Sequence, residues 1–162
     1  MRILGVDPGL GTTGYGVIEL NEGRFSLLEA GIIKSSPRED LVLRLNRIYK
    51  GIQEVTREYK PRYLILEKLY SHYKHRMSAI SMAHARGVIA LCAGEFRDLE
   101  LINYSAKRVK KALTGNGNAS KLQVQRTIQS IFELKKLPTP EDVSDAVALS
   151  LAHAYIKGKE RK

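Results

Sequence analysis

The sequence has one cysteine, Cys92, in 162 residues, so no disulfide can close within the chain. Cys92 sits in an apolar helical stretch and reads as core filler. Internal repeats, low-complexity tracts and linker-like segments are missing as well. No apolar run approaches the ~20 residues that a membrane span needs, so no membrane insertion is expected. The opening Met1-Arg2-Ile3-Leu4-Gly5-Val6-Asp7-Pro8-Gly9 reaches a Pro-Gly turn too soon for a secretory signal, and a cytoplasmic protein is the expectation. Acidic residues are scarce: 17 Asp plus Glu stand against 27 Lys plus Arg, a formal charge of +10. That imbalance favours a polyanionic partner, of which nucleic acid is the commonest, although a basic solvated surface has the same composition. Apolar residues make up 43% of the chain, which argues against disorder. The length suits a single domain over residues 1–162.

Periodicity orders the chain. Arg2 to Val6 is short and apolar and ends at the Asp7-Pro8-Gly9 turn, which predicts a strand. Thr13 to Leu20 predicts a second strand, with Gly14 and Gly16 where a side chain would crowd a neighbour. Asn21-Glu22-Gly23 is a hairpin signal leading into a third strand over Arg24 to Lys34. Leu41, Leu45, Ile48, Ile52, Val55 and Tyr59 recur at helical spacing until Lys60-Pro61 stops the pattern. Tyr63 to Leu66 is apolar throughout, as a strand covered on both faces should be. A loop over Leu69 to Arg76, a long helix from Met77 to Asp98 and a strand from Leu99 to Asn103 follow. Helices are expected over Ser105 to Leu113, with Ser105 as N-cap, over Lys121 to Phe132, and from Thr139-Pro140 onward. The fold class is α/β: a five-stranded mixed sheet, with an antiparallel meander of three strands followed by parallel βα units and helices on both faces.

Three elements end or begin on acids. Asp7 ends the first strand and Glu67 the fourth. Asp142 and Asp145 lie in the first two turns of the last helix, three apart and so on one face. If strands one and four are neighbours, Asp7 and Glu67 come together, and like charges so close repel or shift upward in pKa. A divalent cation would neutralise such a cluster, and oxygen-only ligands suit magnesium or manganese. Each acid also has a plainer reading. Asp-Pro-Gly is an ordinary turn, Glu67 is the first polar residue after a buried strand, and Asp142 suits a helix N-terminus. Asp145 shares a stripe with Leu149 and Ala152, where an acid needs a partner.

Taken together, these motifs resemble the RuvC family of Holliday-junction resolvases, which have an RNase H-like fold. The resemblance runs through Gly5-Val6-Asp7-Pro8-Gly9 with Gly14-Tyr15-Gly16-Val17, Leu66-Glu67 with Tyr70, and His84-Ala85-Arg86-Gly87. It continues through Lys110, the run Gly115 to Val124, and Asp142 to Leu149 with His153. Tyr70 stands where the family usually has Phe, and the loop after it is one residue longer than in many members.

The resemblance implies that Asp7, Glu67, Asp142 and Asp145 are catalytic and hold two Mg²⁺ ions per subunit, with Mn²⁺ able to substitute. It implies paired symmetric cutting of four-way junction DNA, leaving 5′-phosphate and 3′-hydroxyl ends. It implies a homodimer as well, with RuvA and RuvB as a partner branch-migration complex and a preference for a short T-rich sequence. Lys110 and Lys121 are expected to reach phosphates near the metals, and Lys107 and Lys111 to add non-specific affinity. Tyr70, Tyr73, Lys74 and Arg76 interleave rings with cations, a composition suited to stacking on exposed bases. The small residues Ala79, Ala83, Gly87, Ala90 and Gly94 recur along the long helix. They either pack on the chain's own sheet or let a second copy approach, and the resemblance favours the dimer. Asp7 to Gly14 also resembles the phosphate loop of actin-like ATPases, but those need a second lobe. A non-catalytic junction binder and an RNA-cutting RNase H-like nuclease are the other rivals.

Overall fold

The structure is a computed structural model that describes residues 1–69 and 76–160. Strands β1 (Arg2–Asp7), β2 (Thr12–Asn21) and β3 (Arg24–Lys34) form the expected antiparallel meander. At the hairpin, Glu22 and Gly23 both take positive φ, the conformation a tight two-residue turn requires. β4 (Tyr63–Glu67) and β5 (Glu100–Tyr104) complete a sheet of order β3-β2-β1-β4-β5, with β4 parallel to both neighbours. The helices are α1 (Leu41–Tyr59), α2 (Arg76–Gly94), α3 (Ala106–Thr114), α4 (Lys121–Ile131) and α5 (Glu141–Glu160).

Alternation along the strands divides the core between two faces. Ile3, Ile18 and Ile65 pack with Val109, Val124, Ile128 and Leu151 of α3, α4 and α5. Leu4, Val6, Leu64 and Leu66 pack instead with Ile48, Ile52, Ile89 and Cys92 of α1 and α2. β1 and β4 are therefore covered on both sides, which is why they read as continuous apolar runs. Local chemistry sets the helix starts. The Ser105 side chain accepts the Arg108 N–H, and Ser120 forms a reciprocal capping box with Gln123.

Glycine sets how closely α5 approaches the sheet. A Cβ on Gly5 would lie 2.0 Å from the Ala146 carbonyl oxygen, and one on Gly14 would lie 2.1 Å from that of Asp142. At Gly16 it would meet Val147 Cγ2 at 2.5 Å. Gly5 and Gly16 are cross-strand partners, as are Asp7 and Gly14, so the α5 backbone rests on a bare strip of β1 and β2. The obstacle at Gly5 is backbone, which cannot rotate aside. Gly5→Ala is therefore expected to cost about 3 kcal/mol, read as a lower urea midpoint. An unchanged midpoint would refute the close approach.

Three expectations need correction. α2 ends at Gly94, not Asp98, because Glu95, Phe96 and Leu99 donate to Cys92, Ala93 and Phe96 in tight three-residue turns. α5 begins at Glu141: the Pro140 carbonyl accepts from Val143 and Ser144, so Pro140 caps the helix and Asp142 is its second residue. Finally, Met77–Gly94 is long and apolar enough to cross a membrane by length and composition alone, with mean hydropathy 1.2 and 22% of it buried. Ile80, Val88, Ile89 and Leu91 with the alanines raise its hydropathy, although Ser78, Ser81, His84 and Arg86 interrupt the apolar run. In the fold it packs beside α1: Ala85, Ile89, Cys92 and Ala93 face the core, while Met77, Ile80 and Leu91 leave its other face apolar and exposed.

Candidate active site

Because β1 and β4 are parallel neighbours, with Val6 beside Leu66, Asp7 and Glu67 emerge at the same end of the sheet. The first turns of α5, lying over Gly14, bring Asp145 to that end. Asp7, Glu67 and Asp145 line one cleft of about 310 Å³. Lys110 of α3, Lys121 of α4 and Arg86 of α2 also line it, above an apolar floor that includes Val109, Val124 and Leu149. Asp142 does not line the cleft. It lies at the margin, yet its charge is felt by Asp7.

The electrostatics are those of acids held together against their own repulsion. Burial pushes the Asp7 carboxyl up to about 7, with further upward contributions from Asp145, Asp142 and Glu67 that Lys121 partly opposes. Glu67 is raised by burial and then by Asp145, against Lys110, Lys121 and Arg86. Asp145 is also raised by burial, and the Lys121 ammonium pulls it down. Lys121 Nζ donates to Glu141 Oε2 at 2.8 Å and to Asp145 Oδ2 at 3.4 Å. Glu141 had no role in the sequence reading. Its place one residue before Asp142 acquires meaning only once α4 and α5 are packed side by side.

Among the described residues, no three Asp, Glu, His or Cys side chains converge into a ready-made metal cage. The donor set nonetheless fits a hard divalent ion. The donors are oxygens, burial raises the pKa of each, and the neighbouring acids add repulsion that a cation would relieve. Mg²⁺ keeps several waters, so it needs few protein ligands and no closed cage.

Arg86 belongs to the His84-Ala85-Arg86-Gly87 motif, whose resemblance implies no role for it. Its guanidinium donates through Nη1 to the Glu67 carbonyl and through Nη2 to Asn103 Oδ1, joining α2 to the ends of β4 and β5. An arginine on an otherwise apolar helix is the sequence signal that could have marked it. Of the basic candidates whose side chains are described, Lys110 and Lys121 line the cleft and Lys107 and Lys111 do not. Lys107 packs under Gly117, and Lys111 lies with Arg108 and Tyr155 in a separate groove. Tyr70, Tyr73 and Lys74 lie outside the described residues, as do His72 and His75, and the Arg76 backbone opens α2. His153 is a core residue away from the cleft: it is fully buried, its Nδ1 is 2.9 Å from the Tyr104 hydroxyl, and its ring centroid is 4.4 Å from that of Tyr63.

The small-residue strip of α2 is half-buried at Ala79 and Ala90 and exposed at its other three positions. Ala83, Gly87 and Gly94 are exposed, and a Cβ on either glycine would meet nothing within 4 Å. Met77, Ile80 and Leu91 flank the strip, also exposed. Packing on the chain's own sheet therefore does not explain it.

Comparison with known proteins agrees with this architecture. The family profile described as "Crossover junction endodeoxyribonuclease RuvC" matches residues 3–153. A relative of that name from Rhodopirellula baltica is 45% identical over 95% of this chain and 86% of its own length. Another from Petrotoga mobilis is 40% identical, covering 97% of this chain and 95% of the relative. Among solved structures, Thermus thermophilus RuvC in complex with Holliday junction substrate superposes with a TM-score of 0.92 at 30% identity, covering 99% of this chain and 96% of that one. The yeast mitochondrial Holliday junction resolvase shares the fold, with a TM-score of 0.68 at 13% identity.

Proposed function

The chain belongs to the RuvC family of crossover junction endodeoxyribonucleases, and from that premise we propose that its acidic cleft is where the phosphodiester bond is cut. The protein is a metal-dependent endonuclease that resolves four-way DNA junctions. The observation that carries the assignment is the meeting of Asp7, Glu67 and Asp145 in one basic-rimmed cleft, with the Asp7 carboxyl pushed up to about 7.

Asp7, Glu67 and Asp145 would hold two Mg²⁺ ions, with Asp142 completing the set from the margin and Mn²⁺ able to substitute. When bound, such ions supply Lewis-acid activation of water and stabilise the leaving 3′ oxygen. The chain's own residues do the rest. The rigid β1 and β4 ends fix two carboxylates, and the apolar floor under them limits water. Lys110 and Lys121 stand at the rim, where a phosphate would enter. Lys121 is held by Glu141 and Asp145 until a more negative partner competes for it. Both are side-chain pairs with substantial exposure, worth little to stability, so exchange is cheap.

Lys121→Met is expected to slow cutting far more than it weakens binding. Lys107→Ala and Lys111→Ala should instead lower affinity and reduce the salt slope of binding by about one each. Rate and salt titration on a labelled junction separate the two classes, and equal effects on affinity from all three would refute the division.

The small-residue strip of α2, Ala79 to Gly94, is the proposed homodimer face. A two-fold pair of clefts suits paired symmetric nicks in a four-way junction. The RuvA–RuvB branch-migration complex is the proposed partner on family grounds. Tyr70, Tyr73, Lys74 and Arg76 are proposed to meet the junction, since they directly follow Glu67 in the chain. A panel of labelled four-way junction, duplex, RNA–DNA hybrid and single strand tests the substrate assignment. Mg²⁺-dependent cutting is expected on the junction alone, and preferential cutting of the hybrid would point to an RNA-directed enzyme.

A further inference from the structure

Glu67 is the last residue of β4, in register with Tyr104 of β5, and after it the chain leaves the sheet. Two hydrogen bonds hold that point. Lys68 N–H donates to the Tyr104 carbonyl at 2.8 Å, and the Arg86 guanidinium reaches the Glu67 carbonyl itself. The second arm of the guanidinium binds Asn103 Oδ1 on β5, the residue beside Leu66. Arg86 thus works as a planar fork from α2 that fastens two adjacent strand ends at the position of one cleft carboxylate. A point charge on a flexible stem could not span both acceptors in the same way.

We propose that Arg86 is a positioning residue: by clamping the Glu67 carbonyl to Asn103, it sets the direction of the Glu67 carboxylate and thereby the affinity of the cleft for its divalent ion. Partners that orient metal-binding side chains commonly affect metal affinity this way. The inference rests on the reading of Glu67 as a metal-holding acid.

The test uses the full-length protein and Mn²⁺ alone, with bound ion followed by electron paramagnetic resonance and cutting followed over a Mg²⁺ titration. Arg86→Gln and Arg86→Lys are both expected to weaken Mn²⁺ binding by ~10-fold or more. Their cutting should recover toward the wild-type rate at high Mg²⁺, with junction binding in EDTA unchanged. Mn²⁺ affinity left unchanged in both variants would overturn the inference. So would full retention in Arg86→Lys, which would make the charge sufficient, or a parallel loss of junction affinity, which would make Arg86 a DNA contact. If both variants fail to fold, Asn103→Ala removes one acceptor while keeping Arg86. It should shift Mn²⁺ affinity in the same direction by a smaller factor, and no shift again overturns the inference. Glu67→Gln separates this outcome from the parent reading. If it binds Mn²⁺ as the wild type does, the assignment of Glu67 itself fails; if it loses Mn²⁺ while the Arg86 and Asn103 variants do not, only the clamp fails.

Discussion

Asp7→Asn is expected to abolish junction cutting while making the metal-free protein more stable at pH 8. The catalytic loss follows from removing the carboxylate on the most rigid strand, and should be about 10³-fold or greater, roughly 4 kcal/mol of barrier. The gain in stability follows from the raised pKa. An Asp that titrates near 3.8 in the unfolded chain and at about 7 in the folded one binds its proton more tightly when folded. Its contribution is fully present below the unfolded value and is lost as pH rises through about 7. At pH 8 the wild-type protein therefore carries a buried, repelled charge worth up to about 4 kcal/mol of destabilisation. Asparagine removes that charge at nearly the same volume. The melting temperature of Asp7→Asn should exceed that of the wild type by up to about 10 °C at pH 8 in EDTA, with the difference closing toward pH 5. Mg²⁺ should raise the wild-type value at pH 8 and leave the variant almost unmoved. Equal melting temperatures at pH 8 would mean that the acids are not under electrostatic load.

Ala83→Glu is expected to separate the dimer while leaving each cleft intact. Ala83 is exposed on the outer face of α2, between the exposed Ile80 and Gly87, so the substitution disturbs no buried contact within the chain. In a two-fold interface it would place an unpaired carboxylate from each copy in an apolar seam, at a cost of about 4 kcal/mol. That corresponds to a roughly thousandfold weaker dimer. Sedimentation should show a monomer whose Mn²⁺ binding matches that of the wild type. Junction cutting should lose its pairing, with single nicks replacing coordinated ones. A dimer that survives the substitution would remove α2 from the interface.

The strands and the three cleft acids were legible because each rests on a local pattern. Alternation, a turn after Asp7 and an apolar run before Glu67 all survive in one dimension. Gly14 and Gly16 were legible as close-approach sites, though not the helix that approaches them. What the sequence hid depends on packing. Pro140 was expected inside α5, but its carbonyl caps the helix, so Asp142 is the second helical residue and not the third. Lys121 was expected to face phosphate. Its pairing with Glu141 spans twenty residues and exists only because α4 lies beside α5. Arg86 was hidden for the same reason, since nothing along the chain links an α2 guanidinium to the carbonyl of Glu67 and the amide of Asn103. The basic run of α3 looked uniform in sequence, and its helical twist divides it, sending Lys110 into the cleft and Lys111 to another groove.

The most direct measurement is single-turnover cutting of a labelled four-way junction by the wild-type protein and Asp7→Asn, in Mg²⁺ and in EDTA. Symmetric nicks bearing 5′-phosphates are expected from the wild type in Mg²⁺ alone, with Asp7→Asn still shifting the junction in a gel but leaving it whole. Nicks in EDTA, or Mg²⁺-dependent nicks by Asp7→Asn at a rate near that of the wild type, would contradict a metal-dependent site built on this carboxylate.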